Sequence, residues 1–124
     1  MPCRAAEKGR TSRSVRMTRF GGPEVLEVVS EATPAPGRGQ VLVRVGASGV
    51  NFAETLMRNN RYAVTPDLPA VLGSEVAGTI EAVGRAVDGL AVGTRVAAPL
   101  FAAGRFFGGY SDHVVVEGFR SSWP

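Results

Sequence analysis

Gln40-Val41-Leu42-Val43-Arg44-Val45, continued by Gly46-Ala47-Ser48-Gly49-Val50-Asn51-Phe52-Ala53-Glu54, reads as a strand, a turn and the start of a helix. Side chains alternate across a strand, so Val41, Val43 and Val45 share one face. Asn51 is a good helix cap, and Glu54 three residues later completes a capping-box pattern. Phe52 and Leu56 lie one turn apart on the helix expected over 52–58, and Asn59-Asn60 can end it. A glycine turn between strand and helix is where a dinucleotide would bind. Here the glycines stand at Gly46 and Gly49, so the G-x-G-x-x-G spacing fails. No second strand ends in a ribose-binding acid about 20 residues on. The segment is therefore read as a turn into a short helix.

Outward from this stretch the pattern stays β. Weak alternation begins at Ser14 and runs from Val15 to Phe20, until Gly21-Gly22-Pro23 breaks it. Val25–Val29 reads as a second strand. Pro34-Ala35-Pro36-Gly37-Arg38-Gly39 is a stiff loop that cannot join a ladder. Downstream, Tyr62–Pro69 is a proline-containing loop, and Glu75–Val83, Arg95–Phe101 and Ser111–Glu117 read as strands. Gly104–Gly109 is a glycine-rich loop holding Phe106 and Phe107. Some six or seven short strands punctuated by Gly and Pro predict a mostly β fold with short helices, a small barrel or sandwich. No strand–helix alternation repeats, which argues against a doubly wound sheet.

The 124 residues make one domain, with 44% hydrophobic and 20% charged residues. The net charge of +3 is unevenly placed. Residues 1–19 hold six basic residues against Glu7 alone, while the rest holds eight basic and ten acidic residues. The body thus lacks the basic face that nucleic-acid binding needs, and no nucleic-acid partner is expected. No apolar run reaches the ~18 residues of a membrane helix, so no membrane partner is expected either. One cysteine, Cys3, excludes an internal disulfide and any CxxC motif, and a cytoplasmic address follows as the expectation. The expected organisation is a disordered basic leader over 1–13, a folded domain over 14–117 and a patternless tail over 118–124 that carries Trp123.

Candidate chemistry is sparse. His113 is the sole histidine and alternates with Val114 on a strand, so it reads as a plain strand residue. A metal site needs three or four ligands, and none is expected. Gly73-Ser74-Glu75 lacks the second glycine of a nucleophile elbow. Asn51 and Tyr62 are the polar groups flanking the one helix and its exit loop.

Several fragments occur together in order. They are Phe20-Gly21-Gly22-Pro23-Glu24-Val25-Leu26, Ser48-Gly49-Val50-Asn51-Phe52, Leu72-Gly73-Ser74-Glu75-Val76-Ala77-Gly78, Val83-Gly84, Gly93-Thr94-Arg95-Val96 and Gly108-Gly109-Tyr110. The set resembles the N-terminal GroES-like domain of the quinone oxidoreductase branch of the medium-chain dehydrogenase/reductase family. It spans about Ser14 to Val116. The resemblance implies a GroES-like, partly open β-barrel. It also implies an NADPH-dependent reaction in the complete family protein, with hydride passing to a quinone or an activated alkene.

In the zinc-dependent branch the positions of Asn51 and Ser74 are a metal-binding Cys and His. Here both are poor zinc ligands, so the resemblance is to the zinc-free reductases. It implies that Asn51 and Tyr62 position nicotinamide and substrate, with no residue serving as nucleophile or base. A second family tyrosine falls on Leu56, which removes a hydroxyl. Glu75 matches a family acid with a structural role. The family's Rossmann domain, with its glycine motif, is missing from these residues. The expectation is an N-terminal part of such an enzyme, truncated or split and inactive alone, binding no NADPH by itself. Its partner would be a Rossmann domain or a second copy. A non-catalytic GroES-like interaction module, or an inactive remnant, is the alternative.

Overall fold

The computed structural model describes residues 10–100 and 107–117. Its strands are β1 (Thr11–Met17), β2 (Glu27–Ala32), β3 (Gln40–Ser48), β4 (Ala70–Val71), β5 (Glu75–Val83), β6 (Arg95–Pro99) and β7 (His113–Glu117). One helix, α1 (Phe52–Arg58), lies between β3 and β4. The strands form a three-stranded sheet in the order β2-β1-β4 and a four-stranded sheet in the order β6-β5-β3-β7. All pairings are antiparallel. The described residues form a mostly β, partly open fold, as the GroES-like resemblance implies, and include no Rossmann domain.

The period of two in β3 does what it implies. Val41 and Val43 are buried in one cluster with Val76, Ile80, Ala98, Leu100, Val114 and Val116, and Val45 packs against them. Leu42, on the opposite face, is buried as well, and the register with β5 shifts between Leu42 and Val43. β3 also runs three residues past the expected end. Ala47 and Ser48 pair with Ala77 and Val76, so cross-strand bonding overrides the turn preference of Gly46, and the turn shrinks to Gly49 and Val50.

A second cluster joins Met17, Val25, Met57, Ala70 and Leu72, with Phe20, Ala53 and Tyr110 against it. It seats α1. The helix is also tied by its last turn, where the Arg58 carbonyl accepts from Gly21 N–H at 2.9 Å and Arg58 Nε donates to Gly21 O at 3.0 Å.

Segment 108–112 stitches the sheets together. Tyr110 N–H donates to Leu72 O at 2.9 Å and Tyr110 O accepts from Val15 N–H at 2.8 Å. Asp112 N–H donates to Arg13 O at 2.8 Å, and Asp112 O accepts from Val45 N–H at 2.8 Å. Side chains reinforce the seam. Arg13 pairs with Asp112 at 3.0 Å and Arg10 with Glu81 at 2.8 Å. His113 Nδ1 lies 3.1 Å from Ser12 Oγ, and its Nε2 lies 3.0 Å from Glu81. His113 is thus a strand residue that also bridges the two sheets.

Three expectations need correcting, and one strand, β4, was not expected. Residues 11–13, placed in the disordered leader, are the start of β1 and pair with Ala32, Glu31 and Ser30. Pro23–Val25 is a single 3-10 turn with Pro at its first position, which delays β2 to Glu27. β4 is two residues long, too short to show a period. The sixth strand stops at Pro99, whose missing N–H suits a strand end. Residues 1–9, Phe101, Phe106 and the 118–124 tail with Trp123 lie outside the described residues.

Candidate active site at the junction of β3 and α1

Asn51 caps α1 with extended backbone, φ −112° and ψ 154°, and the capping box is present. Its well-defined half is the carboxylate of Glu54, which accepts from Asn51 N–H at 3.2 Å. Glu54 is only 3% exposed, because α1 turns this face onto the second core cluster beside Met57. A carboxylate so placed must be satisfied by hydrogen bonds. Its other oxygen accepts from Ser74 Oγ at 3.3 Å. Ser74 in turn accepts from Asn51 Nδ2 at 3.5 Å.

Ser74 reaches this place because Gly73 turns the chain between β4 and β5. Gly73 has φ +105°, and an added Cβ would meet Tyr110 N at 2.7 Å and Gly109 Cα at 2.8 Å. Only glycine accepts both the left-handed backbone and that approach. The same turn brings in Tyr110, whose buried hydroxyl makes no well-aligned hydrogen bond among the described residues. Burial first, and then the negative charge of nearby Glu54, push its ionisation up to about 12. The result is a chain of polar groups, Asn51, Ser74, Glu54 and Tyr110, with its outer end at an exposed amide and its inner end in the core.

Glu75 stands apart from this chain. Its carbonyl accepts from Gly49 N–H and Ser48 Oγ, each at 3.2 Å, and its side chain fills the space a Cβ on Gly49 would need. It shapes the turn that delivers Asn51. Tyr62 sits on the loop after α1, 38% exposed, and makes no side-chain hydrogen bond among the described residues. The structure therefore brings Asn51 and Ser74 together and leaves Tyr62 on the surface near the helix exit. Sequence reasoning missed Glu54 as more than a cap, and Tyr110 as more than part of a fragment. The available signal was an acid at the third helical position of an otherwise apolar helix face.

The chemistry on offer is neutral at the surface. Asn51 presents an amide flanked by exposed Val50 and Phe52, at 78% and 77% exposure. An amide and a hydroxyl can orient a ligand by hydrogen bonds, but they are poor donors to zinc. Among the described residues no group of three or more His, Cys, Asp or Glu side chains is placed to hold a metal ion. No described helix is long and apolar enough to cross a membrane.

Comparison with known proteins bears on the same region. Residues 37–120 match the sequence pattern of the alcohol dehydrogenase GroES-like domain. The quinone oxidoreductase of Lama guanicoe is 42% identical over 107 residues, covering 86% of this chain and 31% of its own length. The structure of a probable oxidoreductase from Mycobacterium abscessus superposes with a TM-score of 0.77 at 31% identity, over 88% of this chain and 33% of that one. A mycobacterial protein solved as a complex with NADPH superposes at 0.71 and 34% identity, over 86% of this chain and 30% of that one. The 124 residues thus span about a third of the length of the relatives they match. By this match and the fold just described, the chain belongs to the alcohol dehydrogenase GroES-like domain family, in the quinone oxidoreductase branch of the medium-chain dehydrogenases/reductases.

Proposed function

We propose that this domain forms the substrate-side half of a zinc-independent, NADPH-dependent quinone oxidoreductase site. The observation that carries the reading is the Asn51–Ser74 contact at 3.5 Å, at the strand-to-helix junction. An amide and a hydroxyl stand there as a neutral hydrogen-bonding pair. Such a pair suits the polar edge of an uncharged ring, and exposed Val50 and Phe52 beside it suit the ring's apolar faces.

These residues fit the nicotinamide end of NADPH and not its phosphates. A dinucleotide site holds its pyrophosphate with glycine-loop amides and a helix N-terminus. The 124 residues contain no G-x-G-x-x-G. When bound, NADPH supplies the hydride that reduces a quinone or an activated alkene. The protein's own part is to orient the reacting rings and to exclude water. Asn51 would hold a polar ring substituent, and Tyr62, from the loop after α1, would close the same edge. Neither serves as nucleophile or base. The exposed Val50 and Phe52 would lie under a nucleotide-binding domain, or under a second copy of the chain.

The test is calorimetry with NADPH. The 124-residue chain alone should show no micromolar binding. The same chain joined after Val116 to the nucleotide-binding domain of a quinone oxidoreductase relative should bind NADPH and reduce quinones. Micromolar binding by the chain alone, or a joined protein that binds NADPH without turnover, contradicts the proposal.

A further inference from the structure

We infer that Glu54 is a positioning residue, whose carboxylate sets the direction of the hydrogen bonds that hold the Asn51 amide. The inference deepens the proposed function and, where it concerns turnover, rests on it. Its geometric part stands by itself.

A carboxylate can only accept hydrogen bonds. Glu54 has one oxygen 3.2 Å from Asn51 N–H and the other 3.3 Å from Ser74 Oγ. Ser74 has a single proton, and Glu54 takes it. The hydroxyl oxygen is then left with acceptor capacity alone toward Asn51. The group of Asn51 that meets it at 3.5 Å is accordingly Nδ2, the donor end of the amide. One acidic side chain thus holds Asn51 twice, by its backbone and, through Ser74, by its side chain. Burial makes the arrangement stringent. Glu54 is 3% exposed and Ser74 8% exposed, so water has little access to replace either partner.

The charge on Glu54 separates this role from helix capping. In Glu54→Gln the side-chain carbonyl can still accept from Asn51 N–H, so the cap survives. The new NH2 group is a donor and meets the Ser74 oxygen. The Ser74 proton, no longer held by a carboxylate, then turns toward Asn51, so the Nδ2 end of the amide faces a donor instead of an acceptor. Ser74→Ala removes the same partner without touching the cap. A group whose only job was to cap α1 would be rescued by Gln, whereas a positioning group would not.

The experiment uses NMR on the 124-residue chain, with the Asn51 side-chain NH2 resonances assigned by their loss in Asn51→Ala. The wild type should show a cross-peak between Asn51 Hδ2 and Ser74 Hβ and a restrained side-chain amide. Glu54→Gln should lose the cross-peak and loosen the amide while α1 backbone shifts persist. Ser74→Ala should loosen the amide likewise, and it carries the test if Glu54→Gln does not fold. An Asn51–Ser74 cross-peak that persists in Glu54→Gln, or an amide equally restrained in Ser74→Ala, overturns the inference. In the joined protein, Glu54→Gln should lower kcat about tenfold with the quinone KM changed less than about twofold, as expected when a positioned group is misaligned. If Asn51→Ala leaves turnover unchanged while the NMR results hold, the functional reading fails and the positioning role stands.

Discussion

Asn51 Nδ2 and Ser74 Oγ lie 3.5 Å apart although the two residues are 23 positions apart in the chain. The contact exists because β3 delivers one residue and the Gly73 turn delivers the other. Zinc takes thiolate, imidazole or carboxylate ligands, and this pair supplies none. Protein purified without chelator should therefore carry no stoichiometric zinc by elemental analysis. One zinc per chain, retained through dialysis, would show that the pair has been misread.

Glu54→Ala should destabilise the domain substantially. It leaves Asn51 N–H and the buried Ser74 hydroxyl without their acceptor. Orphaned buried groups cost about 1–3 kcal/mol each, so a loss of roughly 2–6 kcal/mol is expected for the pair. The readout is the urea midpoint at unchanged m-value. A shift below about 0.5 kcal/mol, the range of ordinary surface substitutions, would mean that the carboxylate is not a buried acceptor.

Tyr110 should make the fold sensitive to alkali. Its folded-state ionisation is raised to about 12 from the usual 10.0, mainly by burial. A raised value means that the folded state keeps a proton the unfolded chain releases. Stability is then fully present below about 10 and lost as the pH rises toward about 12. Tyr110→Phe should remove that loss. It should also be near neutral at pH 7, because it deletes a buried hydroxyl that has no well-aligned partner among the described residues. Equal alkaline slopes for the two proteins, from urea midpoints across this pH range, would count against the buried position of the hydroxyl.

Asp112 gives the opposite dependence. The Arg13 guanidinium, and then Arg13 N–H, bond its carboxylate and lower its pKa from the usual 3.8. A lowered folded-state value stabilises the fold above 3.8 and is lost as the pH falls below it. Asp112→Asn should flatten the acid side of the stability curve and loosen β1 from segment 108–112. Identical acid limbs in urea titrations of the two proteins would show that the seam does not depend on this pair.

How much of this could be read from residue patterns depends on the range of the forces involved. The alternation of Val41, Val43 and Val45 marks β3, and the Asn51 to Glu54 spacing marks the start of α1, because both are local patterns. β4 was not legible, since a two-residue strand has no period. Nor was the start of β1 at Thr11, which is held by pairing with Ala32 across the sheet. At the site, Asn51 and Ser74 stood out as substitutions within recognisable fragments. The bond of Glu54 to Asn51 was legible as a capping box, but its bond to Ser74, and the placing of Tyr110 nearby, follow from how α1, the Gly73 turn and 108–112 pack together. No local pattern encodes such packing. Tyr62, to which the family resemblance assigns a site role, stands on the loop after α1 at 38% exposure, and no local pattern marks it.

The central claim is that Asn51 orients the reacting rings, while the affinity for NADPH comes from the groups that hold its phosphates. The most direct measurement compares wild type and Asn51→Ala in the joined protein, recording NADPH affinity by calorimetry and quinone turnover by absorbance. The account predicts an NADPH Kd unchanged within about twofold and a kcat lowered about tenfold or more, with the barrel intact by circular dichroism. Part of any loss of stability will come from the missing helix cap, worth ~1 kcal/mol, and the circular dichroism melt reports it separately. Unchanged kcat in Asn51→Ala, with the barrel folded, would contradict the account.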